Sequence, residues 1–103
     1  MQKTNEPEII DFVALGQIDD VKKLIVMGKD VNNPDKYGNY AVIVAASRND
    51  FETLKLLVEA GAKLNVFNRM GDDALIWAVR NDNMRMKDYI EENTPNSKLK
   101  TGK

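Results

Sequence analysis

Shifting the chain by 33 positions brings like residues into register: Asp35 over Asn68, Gly38 over Gly71, Ala45 over Ala78, and Asn49 over Asp82. The same shift in the other direction pairs Gly61 with Gly28, Leu64 with Val31, Asn65 with Asn32, and Leu57 with Leu24. A period of this length marks a stack of small units, each burying its apolar side against a neighbour. Three copies fit, at about residues 2–34, 35–67 and 68–94, and together they make one domain over 1–94. Residues 95–103 are polar and lysine-rich and read as a flexible basic tail.

The middle copy shows the internal punctuation. Asp35-Lys36-Tyr37-Gly38 is a turn, with Gly38 free to take a positive φ. A first helix is expected from about Tyr40 to Arg48, presenting Val42, Ala45 and Ala46 on its buried side. Asn49-Asp50 breaks it, because Asn tolerates the left-handed conformation, and Gly16 holds that place in the first copy. A second helix is expected from about Phe51 to Ala60, with Phe51, Leu54, Leu57 and Val58 at helical spacing and Gly61 as its stop. Helices this short do not stand alone in water, so stacking must hold them. Val44 and Leu56 of the middle copy correspond to Asp11 and Lys23 in the first. Leu54 and Val58 correspond to Lys87 and Glu91 in the third. Polar outer faces at both ends predict a complete three-repeat unit.

The middle copy, DKYGNYAVIVAASRNDFETLKLLVEAGAKLNVF, resembles the ankyrin repeat along its whole length. The Gly38 turn, the Ala45-Ala46 pair, the run Lys55 to Glu59, and Ala60-Gly61-Ala62 followed by Leu64-Asn65 sit at that family's spacing. The third copy keeps Gly71, Ala74-Leu75 and Ala78. The first keeps Gly16, Val21, Leu24, Gly28, Val31 and Asn32 without the turn glycine. The resemblance implies an all-α solenoid of three helix-turn-helix repeats joined by hairpin-like turns. It also implies a protein–protein interaction module without catalysis. The family's Thr-Pro-Leu-His is replaced by Tyr40-Ala41-Val42-Ile43 and Asp73-Ala74-Leu75-Ile76. Asp73 can still cap its helix; Tyr40 cannot, which makes Asn39 the expected cap. The absent histidines remove a usual hydrogen-bond tie between repeats.

Composition points the same way. The chain has neither histidine nor cysteine, which excludes His-based nucleophilic triads, thiolate zinc sites, His-ligated metals and disulfides. No cofactor or metal is expected. Asp19-Asp20, Asp72-Asp73 and Glu91-Glu92 read as solvated or helix-terminal charge, since adjacent helical residues do not face one another. Asp30 to Asp35 lacks the alternating acids of a calcium loop. A net charge of −1 argues against nucleic acid, despite Arg48, Arg69 and Arg80. The first ten residues lack a signal-peptide pattern, and the longest apolar run, Ala41 to Ala46, is too short to span a membrane. A cytoplasmic protein is the resulting expectation. Trp77 reads as seam packing, with a partly exposed binding anchor as the alternative.

Family geometry places partners along the concave side, on the turn tips and the exposed side of each first helix. Mapped onto this chain, those positions are Lys36, Tyr37, Asn39, Ser47, Arg48 and Phe67 in the second copy. In the third they are Arg69, Met70, Asp72, Arg80 and Asn81, with Ala14 and Leu15 from the first. Tyr37, Phe67 and Met70 are large apolar groups where solubility alone favours small polar ones. The set holds Lys36, Arg48, Arg69 and Arg80 against Asp72 alone, on a chain of net charge −1. The expected partner is another protein with an acidic patch. The chain is expected to be a monomer, with a homodimer as the alternative. A small stand-alone inhibitor or immunity-type protein, and a self-associating structural module, are the other readings.

Overall fold

The computed structural model describes residues 7–94, all of them helix, turn or connecting loop. Six helices run in chain order: α1 (Ile9–Leu15), α2 (Ile18–Val26), α3 (Ala41–Ser47), α4 (Phe51–Glu59), α5 (Ala74–Arg80) and α6 (Met84–Asn93). They pack as three pairs, and α3 lies against α1, α4 and α5, so the middle first helix is the centre of the stack. The fold class read from the sequence is the one observed. The helices of the middle repeat are each slightly shorter than expected, with Tyr40, Arg48 and Ala60 serving as cap residues.

Each pair turns through one residue in the left-handed region, and the three repeats fill that place differently. Gly16 has φ 72°, Asn49 φ 59° and Asp82 φ 56°. Short polar side chains substitute for glycine because they can hydrogen-bond locally in that conformation. Asp50 then caps α4: its carboxylate accepts from the Thr53 backbone N–H at 3.2 Å and from the Thr53 hydroxyl at 2.8 Å. That pairing satisfies the buried polar side chain of Thr53. Asp73 caps α5 as the sequence predicts, accepting from Ile76 N–H at 2.9 Å.

The core is continuous through the repeats. Val13, Val21, Ala45, Ala46, Leu54, Leu57, Ala74, Ala78, Met86 and Ile90 are all essentially inaccessible. Alanines dominate where first helices meet, which lets α3 approach α1 and α5 closely. Phe51 and Tyr89 meet edge to face across the second and third repeats, with ring centroids 5.5 Å apart at 71°. Burial, with the Glu59 carboxylate adding to it, raises the Tyr89 phenol above its ordinary pKa. The seam is dry.

The forward side of the third repeat is mixed. Lys87 and Glu91 on α6 form an ion pair at 3.2 Å, in keeping with the polar facing expected there. The forward side of α5 is apolar and open instead. Val79 is 57% exposed, whereas its counterparts Val13 and Ala46, each covered by a following repeat, are buried. Leu75 and Ile76 are likewise more exposed than Val42 and Ile43. Among the described residues, no helix is long and apolar enough to cross a membrane.

Candidate functional site

The two ordered turn tips are built alike. Asp35 Oδ1 accepts from the N–H of Tyr37 at 2.9 Å and of Asn39 at 2.8 Å, while Asp35 N–H donates to Asn39 O at 2.9 Å. One period later, Asn68 Oδ1 accepts from Met70 N–H at 2.9 Å and Asp72 N–H at 3.0 Å, and Asn68 N–H donates to Asp72 O at 2.9 Å. Tyr37 and Met70 therefore occupy equivalent places on successive tips. They are 63% and 84% exposed. Lys36 sits over the Tyr37 ring, 5.3 Å from its centroid.

The tips are also tied together. Arg69 Nη2 donates to Lys36 O at 2.9 Å. Its side chain passes Gly38, where φ is +82° and an added Cβ would meet Arg69 Cγ at 2.8 Å. Glycine is thus required at position 38 both for its backbone conformation and for the passage of the arginine.

Asp35 is the titratable anchor of this arrangement. Partial burial pushes its carboxyl upward, but hydrogen bonds from the Asn39 backbone, the Asn39 amide and the Tyr37 backbone outweigh that, and Arg69 adds a favourable charge. The net direction is below the ordinary aspartate value. A lowered folded-state value means that the ionised carboxylate stabilises the fold at neutral pH. That contribution fades as pH falls below about 4 and through the folded value. Asn68 shows that a neutral amide can make the same two bonds. Asp35→Asn is therefore expected to fold, with a slightly lower Tm at neutral pH. Its gap from wild type should close as thermal unfolding is followed from about pH 7 to about pH 3. A gap that stays constant over that range overturns the assignment.

On the first helices, most of the residues that the family pattern singles out are engaged within the stack. Arg48 Nη1 donates to Ala14 O at 2.8 Å, and its guanidinium lies over Gly16, where an added Cβ would come within 2.7 Å. Asn81 Nδ2 donates to Ala46 O at 3.0 Å, and the Ser47 hydroxyl donates to Val44 O at 2.8 Å. Arg80 forks onto Asp72, at 3.1 and 3.3 Å, and its guanidinium stands 4.8 Å from the Trp77 ring centroid. Trp77 is half-buried and packs against the core. Ala14 and Leu15 are exposed at the end of α1. Asn39 does not cap α3, contrary to expectation. Its amide donates to Asp35 Oδ2 at 3.1 Å, and the N-cap residue is Tyr40, without a side-chain bond. Phe67, 56% exposed, lines a groove beside Leu64, Leu75 and Ile90 at the end of the third repeat.

Two further ties carry no obvious mark in the sequence. Asn32 clips the connecting loops together: its Nδ2 donates to Gly61 O at 2.9 Å and its Oδ1 accepts from Lys63 N–H at 2.8 Å. Asn83 Nδ2 donates to Asn49 Oδ1 at 2.8 Å. With Arg48, Arg69 and Asn81, these bonds supply inter-repeat connections in a chain that has no histidine. The 33-residue register held the signal for them, since each joins residues 29 to 35 positions apart.

Comparison with known proteins agrees with this geometry. The family described as "Ankyrin repeats (3 copies)" matches residues 9–98. An ankyrin repeat protein of Rickettsia felis is 35% identical over 72 residues, covering 70% of this chain and 19% of that protein. One from Acanthamoeba polyphaga mimivirus is 26% identical over 80 residues, covering 78% of this chain and 9% of its own length. A third, from Rickettsia bellii, is 29% identical over 62 residues, covering 60% of this chain and 37% of that protein. The chain thus spans well under half the length of these relatives. With the family match, the three stacked helix pairs and their shared register together, this chain belongs to the ankyrin-repeat family.

Proposed function

We propose that this chain binds another protein through its turn tips, using Tyr37 and Met70 as apolar anchors and the surrounding cations to select an acidic patch. Ankyrin repeats in general are protein–protein interaction modules, which supports the class of function. The observation that carries the finer reading is the placement of two large apolar side chains, both mostly exposed, at equivalent points of adjacent tips. Such groups cost solubility where they stand and are the types that fill pockets at interface centres. Arg48 donates to a backbone carbonyl and not to a carboxylate, while Arg69 donates to Lys36 O with the Asp35 carboxylate nearby. Arg80 is matched by Asp72.

The same contacts decide which residues to test. Arg48 ties the second repeat to the first and Arg80 holds the third turn tip through Asp72, so reversing them would confuse binding with folding. Tyr37→Asp with Met70→Asp leaves every tip hydrogen bond in place. Affinity capture from the native lysate with wild type and with this double variant is expected to show a protein retained only by wild type. Its retention should fall with salt. Proteins retained equally by both reject the tips as the binding face. Sedimentation at micromolar concentration separates a foreign partner from self-association: a wild-type dimer that the double variant abolishes assigns the tips to a second copy of this chain.

A further inference from the structure

Among the described residues, two stacking faces stay uncovered: the forward face of the third repeat and the backward face of the first. The register sorts their residues. A position buried in the first two repeats but more exposed in the third faces forward, as Val13, Ala46 and Val79 do. By that criterion Leu75, Ile76 and Val79 of α5 and Lys87 of α6 face forward, with Glu91 beside Lys87. The converse pattern marks the backward face. Phe12 is less buried than its counterparts Ala45 and Ala78, Asp20 less than Thr53 and Met86, and Lys23 less than Leu56 and Tyr89. Leu15 belongs there too, in the place of Arg48 and Asn81, which reach back to Ala14 O and Ala46 O of the preceding repeat.

Laid together in the register of the internal seams, these two faces complement each other. The Asn81 contact at Ala46 becomes, across a joint between two chains, a contact of Leu15 with Val79. Both are apolar and mostly exposed, at 66% and 57%. A polar tie inside the stack thus corresponds to an apolar contact at the joint. Phe51 meets Tyr89 across the internal seam. Their counterparts are Met84 and Lys23, and the lysine stem can cover the exposed methionine. Second helices run the same way along a stack built from one repeated unit. On α6 the base precedes the acid, Lys87 then Glu91; on α2 the acid precedes the base, Asp20 then Lys23. Side by side in register, Lys87 comes to Asp20 and Glu91 to Lys23, with opposite charges at both places. Glu8 and Asp11, the acids at the start of α1, are occupied in its capping box. Phe12, standing where the internal seams have alanine, makes the joint wider than those seams.

We propose that a second copy of this chain stacks head to tail on the first, its first repeat continuing the stack beyond the third. Leu15 and Phe12 of one copy cover Val79, Leu75 and Ile76 of the other, flanked by the two charge pairs. Each copy offers one face of each kind, so the contact is heterologous and further copies can add in a line. The joint is separate from the turn tips, and neither reading depends on the other.

Sedimentation of the intact chain from low to high micromolar concentration is expected to show mass rising through dimer to longer species, less so at high salt. Leu15→Asp and Val79→Asp each put a charge into an apolar joint and should raise the dissociation constant at least about tenfold. Both positions are exposed, so at low concentration each variant should melt as wild type does. Val79→Lys, whose charge suits a helix end, replaces Val79→Asp if the aspartate loosens α5. Mixing decides the geometry. Leu15→Asp keeps its forward face and Val79→Asp its backward face, so equal parts of the two should pair as a dimer and grow no further. A chain that is monomeric at every concentration overturns the proposal. Association that only one of the two substitutions removes means like face on like face, and overturns it too. So does association that survives both substitutions, or that Tyr37→Asp with Met70→Asp abolishes, since either result assigns the contact to another surface.

Discussion

Leu54→Ala is expected to lower the melting temperature by roughly 10–30 °C and to do so for all three repeats at once. Leu54 lies on α4 in the middle repeat and has no accessible surface. Truncating a buried leucine removes its transfer free energy and leaves a cavity, together about 2–5 kcal/mol. A domain of this size holds only about 5–15 kcal/mol in total. The loss is therefore a large fraction of the stability. Its position makes the loss global: the middle repeat is the neighbour of both others, and neither end pair can stand without it. Far-UV circular dichroism follows all six helices, while Trp77, the single tryptophan, reports on the third repeat. The two melting curves should stay coincident as both shift. A shift below about 5 °C, or curves that separate, means that Leu54 does not hold the centre of a single cooperative unit.

What could be read before the structure, and what could not, divides along a physical line. The register was legible because backbone demands repeat: Gly16, Asn49 and Asp82 differ chemically yet sit in the same left-handed conformation. The cap at Asp73 was legible for the same reason, being a local bond within one turn. The destination of Asn39 was not, because the carboxylate of Asp35 competes for its amide and only the folded turn shows which acceptor wins. Arg48 and Arg69 looked like a free basic surface. They point instead at carbonyls of Ala14 and Lys36, acceptors that come within reach only once repeats stack. Sequence reasoning counted as surface several side chains that join one repeat to the next. Tyr37 and Met70 escape that fate because a turn tip has no neighbour to cover it.

Ala46→Leu is the substitution that should separate the repeats instead of weakening them together. Ala46 is fully buried on α3, and its carbonyl accepts from Asn81 of the third repeat. Its register partner Val79 is largely exposed, which identifies this position as one that faces the following repeat. A leucine at 46 must push α5 away, at a cost of about 1–3 kcal/mol from overpacking, with the Asn81 bond strained as well. In a stack of repeats, stability is the sum of what each unit contributes and what each interface contributes. Leu54→Ala opens a cavity at the centre of the stack, whereas Ala46→Leu forces the second and third repeats apart. The Trp77 fluorescence transition is therefore expected to move to lower temperature than the circular dichroism transition. Val79→Leu supplies the control: it also enlarges the side chain at this register position, where the surface is open. That change should stay within about 0.5 kcal/mol of wild type. If the two variants unfold alike, the position does not face a neighbour, and the stacking order of α3 and α5 must be wrong.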